Sequence, residues 1–356
     1  VLGHRVMAPS TLGTFLRAFS FGHVRQLEAV VGKVLARAWT LGAGPGQARL
    51  VIDVDSTICA VEGKLKQGAA YGYTKVKGYH PLLASLAGTG EVLSVRARGG
   101  NANTARGAKS FLTETFNKVR AAGATGPITL RADSGFYSKA VVDACRKAGA
   151  RFSITVKMSQ SLRRGIDAIP EEDWRPIPYW LIGGADVAET TYRPFGENAK
   201  KGPCIRLIVR RVRPTPGSQL ALFTDYSYHP FITDREGGTL ALEADHRRHA
   251  EVELVIRDLK EGSGWNHAPS GRFSANAAWW AIGVMAHNLA RWSARLGKLS
   301  DRIITTPTLR RRYLAIPGHL THSGRRLSLH LAKDWPWQEP FRAALATLRG
   351  LRILLT

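Results

Sequence analysis

Three acidic residues are candidates for a chemical role because of where they lie in the sequence. Asp55 lies in the apolar segment VIDVDSTICA, Asp133 ends the strand-like segment PITLRADSG, and Glu253 lies in the helical pattern AEVELVIRDLKEG. A carboxylate in an apolar strand is costly to desolvate unless its charge is compensated. If the three converge, they form an oxygen ligand set suited to Mg²⁺ or Mn²⁺. Two such ions about 4 Å apart would activate a water or a 3′-hydroxyl for attack at phosphorus.

Each of these acids also has a plainer interpretation. Asp55 could satisfy backbone groups in a turn, Asp133 could open the turn that follows its strand, and Glu253 could be a solvated helix residue. Asp53 is a fourth acid, and residues i and i+2 of a strand share a face, so it lies on the face of Asp55. We expect Asp53 to support the site by hydrogen bonding rather than to bind a metal ion itself.

One predicted helix carries further polar side chains near Glu253. At about 100° per residue, His246, His249, Glu253 and Lys260 fall on one helical face. We expect the two histidines and Lys260 to bind phosphate groups of DNA. The histidines, three residues apart, also resemble half of a zinc site, but no Cys or third His lies at a suitable spacing.

Two other segments offer contacts for nucleic acid. YGYTKVKGYH mixes aromatic residues with Lys75 and Lys77, a combination that suits base stacking and phosphate pairing, although a plain hairpin loop is an equal alternative. Asn101 follows a predicted strand close to where Asp55 and Asp133 should meet. It is expected to contact substrate, or else to cap the helix that follows.

The composition favours a polyanionic partner. The chain of 356 residues has 51 Lys and Arg against 27 Asp and Glu, a formal charge of +24 and a pI near 10.6. Such an excess over a whole chain is typical of nucleic-acid binding, and the alternative is a basic protein of unrelated function. The three cysteines are far apart, which argues against a zinc finger or a disulfide framework and favours a reducing cytoplasm.

Nothing in the sequence predicts a membrane partner. The longest apolar stretch, Ala277–Ala286, has about half of the ~20 residues that a membrane span needs. The mean hydropathy of −0.15 is typical of a soluble protein. The chain begins with Val1 rather than Met, so we expect that its true N-terminus is missing.

Apolar periodicity predicts an α/β fold with a mixed sheet flanked by helices. Strands are predicted over 51–54, 80–87, 91–98, 127–135 and 151–157, and helices over 105–121, 139–149, 239–261 and 274–296. Four strand-like segments interrupt this pattern before residue 239. We therefore expect five segments: a helical N-terminal segment that binds DNA (1–47), a first core part (48–158), a β-rich insertion (159–238), a second core part with the catalytic helix (239–300) and a basic, less regular tail (301–356).

The sequence resembles the DDE transposases of bacterial insertion sequences, more narrowly those with a group 1 DDE domain. The resemblance is carried by DVDST (53–57), LRADSGFYSKAVVDACRKAG (130–149) and the segment from HRRHAEVELVIRDLKEG through the next helix (246–292). It extends from about residue 45 to the end of the chain. It implies a ribonuclease H-like fold in which the mixed sheet is interrupted by a β-rich insertion before the last catalytic helix.

The resemblance also implies an activity. It assigns Asp55, Asp133 and Glu253 as metal-binding catalytic residues, with Mg²⁺ or Mn²⁺, in two sites, as cofactor. The implied partners are transposon terminal inverted repeats and target DNA, bound by a homodimer in the bacterial nucleoid. Related transposases carry Tyr and Arg where this chain has His246 and His249, while Glu253 and Lys260 keep the family spacing. The alternatives are a nuclease or resolvase of this fold without strand transfer, and a catalytically inactive DNA-binding derivative.

Overall fold

The computed structural model describes residues 8–195, 204–214, 216–217 and 226–351. Within these residues the strands, numbered along the chain, are β1 Leu50–Ser56, β2 Cys59–Ala60, β3 Ala70–Tyr71, β4 Lys77–Tyr79, β5 Leu82–Leu86, β6 Val92–Arg96, β7 Ile128–Ala132, β8 Arg151–Thr155, β9 Arg175–Ile177, β10 Ala185–Tyr192, β11 Ile205–Val212, β12 Ser227–Thr233, β13 Gly318–Ser323 and β14 Arg326–Leu331. The α-helices are α1 Pro9–Arg17, α2 Phe21–Ala38, α3 Ala108–Ala121, α4 Lys139–Lys147, α5 Gln160–Asp167, α6 Thr239–Arg247, α7 Glu251–Gly262, α8 Phe273–Leu296, α9 Thr306–Leu309 and α10 Gln338–Gly350.

A mixed sheet organises the first half of the chain. Its order runs β6-β5-β1-β7-β8, with β1 antiparallel to β5 and parallel to β7. Leu50, Ile52 and Val54 alternate along β1 and are fully buried, as the period-two pattern of a strand requires. Within this sheet the predicted order of three strands, a helix, a strand, a helix and a strand is confirmed, and so is the mixed sheet flanked by helices. The short strands β2, β3 and β4, which form a separate sheet between β1 and β5, were not predicted.

The strands between β8 and α6 continue this same sheet. β12 pairs with β8, and β11, β10 and β9 follow outward in antiparallel order. One sheet therefore runs through both the expected core and the expected insertion, and the boundary drawn between them stays a prediction. The predicted strand QLALFTDYSYH lies partly outside the described residues, whereas α5 was not predicted.

The predicted long helix over 239–261 is wrong in one respect, because it is broken in the middle. α6 ends at Arg247, a 3₁₀ turn covers Arg248–Ala250, and α7 begins at Glu251. Arg131 of β7 donates to the carbonyl oxygens of Asp245 at 2.5 Å and Arg248 at 3.4 Å. These carbonyls would otherwise accept the backbone bonds of a continuous helix. The predicted shared face is therefore wrong for His246, which turns to Ser153 and Thr155 of β8, whereas His249 and Glu253 both lie near Asp55.

The two ends of the described chain pack around α8. α1 and α2 contact it on one side, and α10 contacts it on another. The C-terminal part is more regular than expected, since it forms the β13–β14 hairpin and α10. No helix in the described ranges is long and apolar enough to cross a lipid bilayer.

Candidate active site

The parallel register of β1 and β7 brings the two predicted aspartates together. Asp53 lies opposite Arg131 and Val54 lies opposite Ala132, so Asp55 and Asp133 come next on neighbouring strands. Asp133 directly follows β7, and its Oδ1 accepts a hydrogen bond of 3.0 Å from the backbone N–H of Gly135. The ends of these neighbouring parallel strands therefore hold the two aspartates in place.

Asp55 sits in a largely buried environment with other acids nearby. Burial, together with the charges of Asp133 and Glu253, raises the pKa of its carboxyl to about 6, against the opposing effects of the Ser56 backbone N–H and the imidazole of His249. The Ser56 N–H donates to Asp55 Oδ1 at 2.6 Å. Asp133 and Glu253 are thus close enough for their charges to affect the ionisation of Asp55.

Glu253 reaches this region from the first turn of α7 and is exposed. Lys260 lies two turns further along the same helix, where its Nζ donates to the carbonyl oxygen of Ile58 at 3.0 Å. This bond ties α7 to the segment that follows β1. It therefore helps to fix where Glu253 stands relative to Asp55.

The donors at this site are chemically suited to a hard divalent cation. All three are carboxylates, and the raised pKa of Asp55 reflects an anion that its protein neighbours do not fully compensate. The side chains are not gathered into a ligand cage, since no group of three or more His, Cys, Asp or Glu within the described ranges is close enough to hold a metal ion. The three carboxylates are thus the right type of ligand for such an ion, and their side chains are spread apart rather than gathered around one point.

Asp53 lies behind Asp55 with both oxygens engaged. Its Oδ1 and Oδ2 accept bonds of 2.7 Å from Nε and Nη2 of Arg131, and His249 Nδ1 lies 2.9 Å from Oδ1. Asp53 and Arg131 are each 1% exposed. Arg131 was missed from the sequence, although its place two residues before Asp133 matches that of Asp53 before Asp55 and could have signalled the pair.

The two histidines occupy different environments. His249 stands between Asp53 and the acids, with its ring partly accessible. The ring of His246 is enclosed, with its nitrogens 2.8 Å from Ser153 Oγ and 3.0 Å from Thr155 Oγ1, and it stacks on Phe231. Burial, more than the neighbouring positive charges, lowers the pKa of His246 well below 6.5. His246 is therefore part of the packing between β8, β12 and α6.

The other predicted DNA contacts have different surroundings. Asn101 lines a cavity of about 470 Å³ together with Asp133. Lys75 is exposed in the turn before β4, whereas Lys77 Nζ donates to the carbonyl oxygen of Lys64 at 2.9 Å. The structure thus brings Asn101 near Asp133, leaves Lys75 in solvent and engages Lys77 with the loop before β3.

Comparisons with known proteins show which family the chain belongs to. No curated protein matches it. Among solved structures it is similar to the piggyBac transposase in a cryo-EM structure of the synaptic complex with hairpin DNA, at 12% identity and a TM-score of 0.45, over 75% of this chain and 51% of that one. The chain thus spans about half the length of that transposase. The family model described as transposase DDE domain group 1 matches residues 3–353, nearly the whole length, and the chain therefore belongs to that family.

Proposed function

We propose that this protein is a DNA transposase that cleaves DNA at transposon ends and joins the freed ends to target DNA. The observation that carries the proposal is the parallel register of β1 and β7, which sets Asp55 beside Asp133, with Glu253 of α7 near enough for its charge to act on Asp55. Membership of the DDE family supports the same reaction. The net charge of +24 supports a polyanionic substrate.

Asp55, Asp133 and Glu253 are the residues that would hold divalent cations, two Mg²⁺ or Mn²⁺ ions. DDE transposases in general depend on divalent metal ions. When bound, such ions act as Lewis acids that assist deprotonation of the attacking oxygen and stabilise the leaving oxygen. The burial of Asp55 supports this role, because a carboxylate with a raised pKa binds a cation in exchange for its proton.

The remaining side chains hold the DNA. His249 is oriented by Asp53 through Nδ1, and in its protonated form it donates from Nε2–H to a phosphate oxygen. Positive charge comes from the exposed Lys75 and from Lys260, which lies beside the segment after β1. Asn101 supplies an amide. A water attacks first and frees a 3′-hydroxyl, which then attacks target DNA. Paired ends require two active sites, so we further propose that two copies act together on nucleoid DNA.

The proposal is tested by nicking of a plasmid that carries the element's own ends, in Mg²⁺ and in EDTA. We expect Asp55→Asn, Asp133→Asn and Glu253→Gln each to lose cleavage by about a thousandfold. Asp143→Asn is a matched control, because Asp143 is an exposed acid of α4 paired with Lys139. Near wild-type nicking by Asp133→Asn would refute the assignment.

Strand transfer needs its own measurement. Pre-cut DNA with a free 3′-hydroxyl is supplied together with a target plasmid, and joined products are counted. Joining that requires Asp133 supports a transposase. Cleavage without any joining would instead identify a nuclease or resolvase, and DNA binding with neither reaction would identify an inactive derivative.

A further inference from the structure

A cavity of about 470 Å³ opens beside Asp133. Three loops form its walls together with Lys157, two residues after β8. The residues that line it are Gly72, Tyr73, Asn101, Ala102, Asn103, Thr104, Asp133, Ser134, Gly135 and Lys157. Its volume falls within the range of about 300–1,000 Å³ that is typical of small-molecule sites.

The wall that carries Tyr73 is braced by close backbone packing. A Cβ on Gly100 would lie 2.1 Å from the carbonyl oxygen of Gly78 and 2.3 Å from that of Ala70. A Cβ on Gly72 would lie 2.7 Å from the carbonyl oxygen of Gly100. The β3–β4 hairpin and the loop after β6 can approach this closely only because glycine has no side chain. The position of Tyr73 is therefore tied to the loop that forms the opposite wall.

The opposite wall is held by one buried arginine. Arg98 donates from Nη1 to the carbonyl oxygens of Asn103, Thr104 and Arg106 at 2.9–3.1 Å. Its Nε donates to the carbonyl oxygen of His80 at 2.8 Å. Four carbonyls are thus satisfied by one guanidinium. A cavity whose walls are fixed before binding loses less entropy when a ligand enters.

The side chains that face the cavity match the parts of a nucleotide. Tyr73 is 80% exposed, and although its ring lies 6.0 Å from that of His80 at a tilt of 56°, most of the ring is open for stacking. The amide of Asn101 has no hydrogen-bond partner within the described ranges, and Asn103 uses only its Oδ1, with the N–H of Ala105. An amide carries both a donor and an acceptor, so it can pair with the edge of more than one base. Lys157 is exposed and supplies a positive charge for a backbone phosphate.

We propose that this cavity binds one unpaired nucleotide of the DNA strand beside the reacting phosphate, with its base stacked on Tyr73. The base edge faces Asn101 and Asn103, and Lys157 pairs with the adjoining phosphate. The proposal rests on the proposed function, because it assigns the cavity to the same DNA substrate. The unpaired nucleotide comes either from a strand end or from a base extruded from a duplex, and both present the same chemistry.

The test is fluorescence anisotropy in EDTA, where no cleavage takes place. The probes are a labelled single strand of twelve thymidines, a duplex with one unpaired thymidine, and a fully paired duplex of equal length. We expect Tyr73→Ala to weaken binding of the first two probes about tenfold, the effect of losing one base–aromatic stack, and to leave the paired duplex unchanged. Tyr73→Phe should bind within about twofold of the wild type, because the ring remains.

Tyr71→Ala is the matched control. Tyr71 belongs to the same hairpin and is 68% exposed, but it does not line the cavity. Loss of affinity for both unpaired probes supports an extruded base, and loss for the single strand alone supports a strand end. Equal losses from Tyr71→Ala and Tyr73→Ala, or no loss from Tyr73→Ala, would overturn the proposal.

Lys157→Ala gives an independent readout. It should reduce the slope of log affinity against log salt for the single strand by about 0.7, the value expected for one phosphate contact. An unchanged slope would overturn the assignment of Lys157. Binding is measured without metal, so these results are independent of the cleavage test. Normal nicking without the expected binding losses would refute the cavity proposal alone. The expected binding losses without metal-dependent nicking would refute the proposed function alone.

Discussion

Asp53 and Arg131 form a bidentate ion pair across the two parallel strands that carry Asp55 and Asp133. Both contacts measure 2.7 Å, and both side chains are 1% exposed. The pair stands two residues before the proposed catalytic aspartates, Asp55 and Asp133. It therefore fixes the register that sets Asp55 beside Asp133. Arg131 also holds the break between α6 and α7 through Asp245 and Arg248, so one side chain links both strands to the helix of Glu253.

Removal of Arg131 should be strongly destabilising. Arg131→Leu leaves Asp53 buried with only His249 as partner, and breaking a buried pair in this way costs about 3–5 kcal/mol. The free energy of unfolding in urea measures the effect. Arg151→Ala is the control, because Arg151 on neighbouring β8 is half exposed and pairs with Glu236 at the surface, where such pairs contribute about 0–1 kcal/mol. Similar losses for the two variants would contradict the assigned role.

The two histidines should respond differently to substitution. His246→Ala removes an enclosed ring and leaves Ser153 and Thr155 without their partner, so we expect a loss of about 2–3 kcal/mol in stability. Its affinity for DNA, measured on folded protein at low temperature, should be that of the wild type.

His249→Ala should show the opposite pattern. Loss of one charge-assisted phosphate contact lowers DNA affinity about five- to tenfold. Stability should change little, since Asp53 keeps both bonds to Arg131. If His246→Ala weakened DNA binding as much as His249→Ala, the separation of their roles would be wrong.

The raised pKa of Asp55 predicts a pH dependence of the metal-free protein. Its pKa rises from 3.8 to about 6 on folding, so between these values the folded state binds more protons than the unfolded state. Stability should therefore fall as the pH rises from about 4 to 6, by up to about 3 kcal/mol from this group. Urea unfolding at a series of pH values in EDTA measures the fall.

Asp55→Asn is the control for this pH dependence. It removes the titrating group and should flatten the stability profile over the same window. Added Mg²⁺ should restore stability to the wild type above pH 6, because the ion compensates the carboxylate, and should have little effect on Asp55→Asn. A wild-type profile as flat as that of the variant would show that Asp55 titrates normally.

The sequence was sufficient to predict the strands that hold the aspartates. β1, β7 and the helices beside them follow simple apolar periodicities, and the positions of Asp55 and Asp133 on them follow directly. Local pattern could not predict the break between α6 and α7, because it depends on a guanidinium from a strand over a hundred residues earlier. The same holds for the two histidines: His246 turns to Ser153 and Thr155, and His249 turns to Asp53.

The cavity beside Asp133 could not be predicted from the sequence either. Tyr73 and Asn101 were visible as candidate DNA contacts, but the sequence did not show that they line one cavity with Lys157. That depends on backbone packing between the β3–β4 hairpin and the loop after β6. Glycine signals this kind of packing only once the partner segment is known.

Gly100→Ala tests that packing directly. The added Cβ would lie 2.1 Å from the carbonyl oxygen of Gly78, and backbone on both sides must shift, so we expect a loss of stability on the order of 3 kcal/mol. Because the hairpin moves with it, binding of the twelve-thymidine strand should weaken as in Tyr73→Ala. Gly165→Ala is the matched control: this glycine of α5 has nothing within 4 Å of the new Cβ. In a helix interior that change should stabilise by about 0.5–1 kcal/mol. Gly100→Ala with wild-type stability and wild-type binding of the thymidine strand would show that the wall behind Tyr73 is not rigid.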